Sequence, residues 1–306
     1  MPSSPAAGFP NAPSNRERGI LIVTGAGVSL GLASFAAWRT TGDALWLNLY
    51  FQWPAPVLMV GLAAVEAWLS LSVRRAFLPV EPLYWAWTLI GASAACDLLG
   101  NVCSQWLSSG SPLNPLLHSA WWSQDQAQEL RQFGLVMGGL LRYFLLAAGL
   151  LAVLRIYRKA GFLGRLAATD WVLLGIVVTY VAKETGEVVL ALYHGKSPGI
   201  SEILGWPVDP LLLVLLFETR LLARSVQRMG KGAIGQCWKA FSIGVLLVWL
   251  GDLGLWATVW RHLPWEWAAL GWYVWLPAGG AFAVAPAYQL EAIEHAMNEP
   301  GGRSEG

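Results

Sequence analysis

Apolar residues are gathered along the chain into eight runs, separated by short connections rich in polar residues, glycine or proline. Each run is about 20 residues long, which is the length that an α-helix needs to cross the hydrocarbon core of a bilayer. The pattern therefore predicts an all-α integral membrane protein with eight transmembrane helices. The predicted spans are 19–38, 52–73, 83–106, 133–156, 168–193, 208–228, 238–260 and 266–290.

Two of these spans resemble each other closely. Trp53–Arg75 reads WPAPVLMVGLAAVEAWLSLSVRR, and Trp206–Arg228 reads WPVDPLLLVLLFETRLLARSVQR. Both begin with Trp-Pro, both carry a glutamate inside apolar sequence, at Glu66 and Glu218, and both end with Ser-Val-x-Arg. Matched features of this kind, separated by about half the chain, indicate an internal repeat.

The third and seventh spans extend the match, because Asp97 and Asp252 each lie near the middle of a span with a tryptophan a little over two turns later. We therefore predict two parallel four-helix repeats, related by an axis along the membrane normal. The predicted units are a disordered cytoplasmic tail at 1–18, a first repeat at 19–160, a second repeat at 161–292 and a disordered cytoplasmic tail at 293–306. A long external loop at 107–132 is compatible with an interfacial helix, a lid or an ordinary connection.

Positive charges are distributed unevenly over the connections between the spans. Of the 20 Lys and Arg residues, 14 fall in the tails, in alternate connections or at their edges, and only four fall in the other connections. Because cytoplasmic segments carry the excess of Lys and Arg, both termini are predicted to be cytoplasmic. The expected location is the cell (inner) membrane.

The composition agrees with this class of protein. Hydrophobic residues make up 56% of the 306 residues, charged residues 13%, and the mean hydropathy is +0.48. A net charge of +1 gives no global signal for nucleic acid, so no nucleic-acid partner is expected. Tryptophans near the span ends are expected to form interfacial belts, namely Trp38, Trp53, Trp85, Trp106, Trp206, Trp238, Trp260 and Trp265.

The first span contains the glycine-rich sequence ILIVTGAGVSLG. A dinucleotide-binding turn places its glycines between a strand and a helix of a soluble domain, whereas these glycines lie within an apolar run. We therefore expect Gly25, Gly27 and Gly31 to let neighbouring helices approach closely. No nucleotide or other cofactor is expected.

Ionisable side chains inside the predicted spans are the candidates for function, because burying a charge in a bilayer is costly. Six of them are acidic and two are basic, so they cannot all pair with one another. The predicted ion- or solute-binding residues are Glu66, Asp97, Asn101, Glu184, Glu218 and Asp252, and the predicted charge-pairing residues are Arg142, Lys183 and Glu187.

Helical spacing predicts neighbours for some of these residues. Ser93, Asp97, Asn101 and Ser104 fall on one helical face, which is the kind of face that lines water or a ligand.

Local spacing also predicts pairs in the second half of the chain. Lys183 and Glu187 are four residues apart and are expected to pair. Glu184 points elsewhere, and its expected partner is Arg142. Arg220 is the candidate partner of Glu218.

The most direct functional hypothesis is a transporter or permease for a cation or a proton-coupled small solute, with the lipid bilayer as its surroundings. The alternative is a membrane sensor, or an accessory or structural subunit, with a polar core and no output domain of its own. An enzyme that acts on lipid through paired carboxylates is a third hypothesis. The sequence identifies no catalytic residue and leaves a carboxylate-only metal site and the oligomeric state open.

Overall fold

The protein is described here from a computed structural model that covers residues 14–106, 129, 132–134, 136–163, 166–195, 207–227 and 232–298. The described residues are almost entirely helical, and no strand occurs among them. The predicted all-α class is therefore confirmed.

Long helices occupy all eight predicted segments. In chain order, the α-helices of the described residues are α1 Asn15–Thr41, α2 Leu45–Gln52, α3 Pro54–Arg75, α4 Pro82–Asn101, α5 Arg142–Lys159, α6 Ala168–Tyr193, α7 Val208–Gln227, α8 Ala233–Trp260 and α9 Ala269–Asn298. A π-helical segment, Val102–Trp106, continues α4, and a second, Val136–Leu141, precedes α5. A 3-10 turn at Trp265–Ala268 leads into α9.

Within the described residues, six segments are long and apolar enough to cross a membrane, and they indicate a multi-pass membrane protein with helices in contact with lipid. They are Asn15–Thr41, Leu45–Arg75, Pro82–Ser104, Gln132–Lys159, Ala233–Leu255 and Glu266–Asn298. The structure thus supports six of the eight predicted spans. The other two, α6 and α7, are helices of 26 and 20 residues in which every 18-residue stretch includes at least three Asp, Glu, Lys or Arg side chains.

Helix ends differ from the predicted boundaries where capping groups extend a helix. The α1 helix begins at Asn15 because Ser14 caps it, with the Ser14 hydroxyl accepting from the Glu17 N–H at 3.3 Å. Residues 15–18 of the predicted disordered tail are therefore helical, and α9 extends to Asn298, into the second predicted tail. The predicted loop 107–132 lies almost entirely outside the described residues.

The longest helix, α9, is central in the bundle and packs against α1, α3 and α8. Small residues permit its close approach to α1, as predicted for that span. A Cβ atom at Gly27 would lie 2.8 Å from Leu276, and one at Gly31 would lie 2.5 Å from Tyr273. Gly25 has no neighbour within 4 Å among the described residues, so the prediction fails for that position.

Two of the tryptophans predicted for the aromatic belt are exposed, whereas the prediction is wrong for Trp238. Trp53 and Trp85 are more than half exposed, whereas Trp238 is 1% exposed. The Trp238 ring stacks on Trp87 at 6.1 Å and on Phe241 at 5.8 Å between ring centroids. Trp238 lies six residues inside α8, so it belongs to the core of the bundle rather than to its edge. Trp206 and the side chains of Trp106, Trp260 and Trp265 lie outside the described residues.

Candidate functional site

A buried arginine and a buried aspartate from neighbouring helices form the centre of the candidate site. Arg142, the first residue of α5, places its Nη1 2.6 Å from Oδ1 of Asp97 on α4. Asn101, one turn after Asp97, donates its Nδ2 to the same Oδ1 at 2.9 Å. All three side chains are buried. The Asp97 carboxylate is therefore held by one charged and one neutral donor.

Glu66 of α3 approaches the same arginine from another side. Its Oε2 lies 3.7 Å from Nη2 of Arg142, and Glu66 is only 1% exposed. Neither Glu66 Oε2 nor Arg142 Nη2 has a hydrogen-bond partner among the described residues. One guanidinium thus lies between two carboxylates, bonded to Asp97 and only loosely paired with Glu66.

Glycines and π-helical turns allow α4 and α5 to come this close. A Cβ atom at Gly100 would lie 2.5 Å from the Cα of Gly138, and one at Gly134 would lie 2.8 Å from the Cβ of Cys103. The π-helical segment Val136–Leu141 packs against α4 at this crossing, and the segment Val102–Trp106 continues α4 beyond it. Single π-helical turns within α-helices are rare and occur frequently at functional sites.

A cavity of about 520 Å³ adjoins this network. Its lining includes Asp97, Asn101 and Arg142 from the α4–α5 side, together with Asp252 of α8 and Trp272 and Trp275 of α9. Of the polar stripe predicted on α4, Asp97, Asn101 and Ser104 line the cavity, whereas Ser93 is buried elsewhere and its hydroxyl has no partner among the described residues.

The cavity lies toward one end of the bundle, where α4 and α8 end and where α3, α5, α7 and α9 begin. Met59 and Trp272 line it from the first two turns of α3 and α9, Val208 from the first residue of α7, and Leu255 from the last part of α8. On α4 and α5, Asp97 and Arg142 are among the lining residues farthest from this end, and Glu66 is not part of the lining.

The structure places the predicted cluster on α6 away from this cavity and corrects its pairing. Lys183 lies 3.0 Å from Glu184 and 2.9 Å from Glu187, so it pairs with both neighbours on its own helix. Glu184 is therefore not paired with Arg142, whose guanidinium is held between Asp97 and Glu66. Lys183 and Glu187 are exposed on α6.

Glu218 also lies outside the lining of the cavity, and its predicted partner is engaged elsewhere. Glu218 is buried on α7, and its Oε2 has no hydrogen-bond partner among the described residues. Arg220 instead places its Nε 3.2 Å from Asp170, because Glu218 and Arg220 are two residues apart and their side chains therefore point about 200° apart around α7.

Asp170 is a buried anchor that the sequence analysis did not identify. Its carboxylate accepts from the Ala167 N–H at 2.7 Å and pairs with Arg220 and Arg224, which joins the start of α6 to α7. The signal was an acidic residue in the first turn of a helix, where the helix dipole favours negative charge.

The cavity tryptophans and the glycines of the crossing were likewise missed as site residues. Trp272 and Trp275 are three residues apart and therefore share a face of α9. That spacing was visible in the sequence, but the partner of that face depends on how α9 is rotated within the bundle.

The network does not have the geometry of a carboxylate metal centre, because the Arg142 guanidinium occupies the space between Glu66 and Asp97. Over the residues that the structure describes, no group of three or more His, Cys, Asp or Glu side chains is placed to hold a metal ion.

No protein-family model, no curated protein and no solved structure matches this chain, so its function is argued from the site alone.

Proposed function

We propose that the protein is a transporter or permease that moves a cation, or a small solute together with protons, through the cavity beside Arg142. The observation that carries this proposal is the acidic network itself: Glu66, Asp97 and Arg142 are buried together and adjoin a cavity that a third acid, Asp252, also lines. Ionisable groups inside membrane bundles are costly, and they commonly mark the pathway of an ion or substrate.

The proposal includes a topology in which all eight long helices cross the cell (inner) membrane and both termini are cytoplasmic. The lengths of α6 and α7, 26 and 20 residues, are sufficient for a span. The uneven distribution of Lys and Arg over the connections supports the orientation. In this topology the cavity lies in the outer halves of the helices that line it.

We further propose that the chain is a tandem repeat of four helices, with α1, α3, α4 and α5 equivalent to α6, α7, α8 and α9. The packing scheme supports this proposal, because three contacts within the first half and one contact between the halves have equivalents. The α1–α3, α3–α4 and α4–α5 contacts correspond to α6–α7, α7–α8 and α8–α9, and the α3–α9 contact corresponds to α7–α5.

The halves differ in one contact, which gives the bundle an asymmetry. The α1 helix packs against α9, whereas no extensive contact joins α6 to α5 among the described residues. In the repeat, Asp97 and Asp252 are equivalent, and both line the cavity. Glu66 and Glu218 are also equivalent, but among the ion pairs of the described residues only Glu66 pairs with an arginine.

Arg142 provides a means of coupling a bound cation to a change in the network. A cation that binds the Asp97 carboxylate competes with the guanidinium for the same oxygen atoms. The free Nη2 of Arg142 already lies 3.7 Å from Glu66, so a small side-chain movement transfers the guanidinium from Asp97 to Glu66. Protonation of Asp97 would have the same effect, which links proton binding to this movement.

The opposite end of the bundle is densely packed, as an outward-facing state requires. In the first part of α8, Trp238 stacks on Phe241 and on Trp87 from the first part of α4, and the rings of Trp87 and Phe241 contact each other at a tilt. All three side chains are at most 1% exposed. In the proposed topology this aromatic cluster closes the pathway on the cytoplasmic side.

Flux through purified protein tests the proposal against the alternative of a sensor or accessory subunit. Proteoliposomes that contain the full chain would be loaded with Na⁺, K⁺ or an ammonium salt, and cation efflux and internal pH would be followed together. The proposal predicts flux above that of protein-free liposomes for at least one cation or for protons. Flux equal to that of protein-free liposomes for every ion would favour the sensor or accessory role.

A further inference from the structure

The cavity has the volume of a site for an organic molecule. Its volume of about 520 Å³ lies within the range of about 300–1,000 Å³ that is usual for small-molecule pockets. A single water molecule takes about 30 Å³ of liquid volume. An inorganic cation with one or two waters would therefore leave most of this cavity unfilled.

One acid of the cavity is available to a ligand that carries positive charge. Arg142 already occupies the space between Asp97 and Glu66. Asp252, which lines the same cavity from α8, has no Lys, Arg or His of the described residues within ion-pair distance. A cationic group in the cavity would be the positive partner that no described side chain provides for the Asp252 carboxylate.

Two tryptophans form an aromatic wall near this acid. The rings of Trp272 and Trp275 have centroids 5.4 Å apart and planes at 71°. Trp275 lies directly against α8, since a Cβ atom at Gly251 would come within 2.4 Å of its ring atoms. Gly251 is the residue before Asp252, so the absence of a side chain at Gly251 brings the indole close to the backbone that carries the acid.

The lining of the same cavity already contains contacts between a cation and aromatic rings. The guanidinium carbon of Arg142 lies 4.7 Å from the centroid of Phe282. Aromatic faces attract cations of low hydration in this way, and quaternary ammonium groups are the ligands for which aromatic cages are best suited. Trp272 and Trp275 line the same cavity.

We propose that the cavity binds an organic monocation, a substituted or quaternary ammonium compound, with its charge beside Asp252 and its alkyl groups against Trp272 and Trp275. This inference rests on the proposed function, because it names the chemical class of the solute for the same site. In this arrangement the organic cation does not compete with Arg142 for Asp97, so the coupling described above proceeds through protonation of Asp97.

Binding of defined ammonium probes to the full-length protein in lipid nanodiscs tests the inference. Isothermal titration would compare tetramethylammonium and choline with dimethylbutanol, the neutral carbon isostere of choline, and with NaCl and KCl. We expect the two ammonium probes to bind and the neutral isostere not to bind. Equal binding of choline and its isostere, or binding of Na⁺ or K⁺ alone, would overturn the inference.

Substitutions then locate the site. Asp252→Asn is expected to weaken choline binding about tenfold or more, and Trp275→Leu about fivefold or more. Trp275→Phe keeps an aromatic face, so it should retain most of the binding and provides a test even if Trp275→Leu does not fold. Asp43→Asn and Trp85→Leu, at exposed positions away from the cavity, are the matched controls.

The outcomes separate the inference from the proposed function. Choline binding that is unchanged in folded Asp252→Asn and Trp275→Leu proteins would overturn the inference. Flux of Na⁺, K⁺ or protons without any ammonium binding would also overturn it while supporting transport. If the protein neither binds an ammonium probe nor moves any ion, both the inference and the proposed function fail.

Discussion

Arg142 lies 2.6 Å from Asp97, a residue 45 positions earlier in the chain, and this buried contact joins α5 to α4 beside the cavity. The guanidinium is shared with Glu66, but the longer distance of 3.7 Å leaves that second pair incompletely formed. The network is therefore both a connection between three helices and a set of charges that a ligand can rearrange.

Removing only one partner of the Arg142–Asp97 pair should cost more than half of what removing both partners costs. Asp97→Asn or Arg142→Gln alone leaves a buried charge without its closest partner, and each is expected to lower the free energy of unfolding by about 3 kcal/mol. The double variant should cost clearly less than the sum of the two. Denaturant titration in detergent measures all three, and strictly additive costs would show that the pair is not coupled.

The close contact between α4 and the segment that leads into α5, at Gly100 and Gly138, should not tolerate even one added methyl group. In Gly100→Ala the new Cβ would meet backbone atoms of Gly138 at 2.5 Å, so α4 and α5 must separate, at a cost of about 1–3 kcal/mol. Gly254→Ala is the matched control, since no atom lies within 4 Å of its added Cβ. Alanine at that helical position should leave stability unchanged or raise it slightly. Equal melting temperatures for the two variants would contradict the close contact between Gly100 and Gly138.

The buried aromatic cluster should be far more sensitive to truncation than the exposed tryptophans. Trp238→Ala removes a ring that is 1% exposed and should lower the free energy of unfolding by about 3 kcal/mol. Trp85→Ala, at 60% exposure, should have a much smaller effect. Thermal unfolding in the same detergent compares them, and a similar loss in both would mean that Trp238 is not a core residue.

The attachment of α6 should depend on Asp170. Few residues of α6 are buried, and the Asp170 contacts with Arg220 and Arg224 hold its first turn against α7. Asp170→Asn removes the charge from both pairs and should accelerate hydrogen exchange in α6 without changing exchange in α9. Asp43→Asn, at an exposed position, serves as the control. Unchanged exchange in α6 would contradict this role of Asp170.

The sequence predicted the parts of this structure that depend on local spacing. Apolar run lengths located the helices, and a separation of four residues on one helix indicated the Lys183–Glu187 pair. The face that carries Asp97, Asn101 and Ser104 was likewise predicted from periodicity, and all three line the cavity.

Contacts between helices were harder to predict. Arg142 was expected near Glu184 but lies between Asp97 and Glu66, because the rotation of each helix about its own axis decides which faces meet. The burial of Trp238 was missed for a related reason: its position near the start of a predicted span resembles that of an interfacial residue, but α8 begins at Ala233.

The most direct test of the central claim compares cation or proton flux through wild-type protein with flux through Asp97→Asn, Asp252→Asn and Asp43→Asn in proteoliposomes, per mole of folded protein. All three substitutions replace aspartate by asparagine, but only the first two change the lining of the cavity. The account predicts that Asp97→Asn and Asp252→Asn lose flux at least about tenfold while Asp43→Asn keeps the wild-type rate. Wild-type flux in folded Asp97→Asn and Asp252→Asn proteins would contradict it.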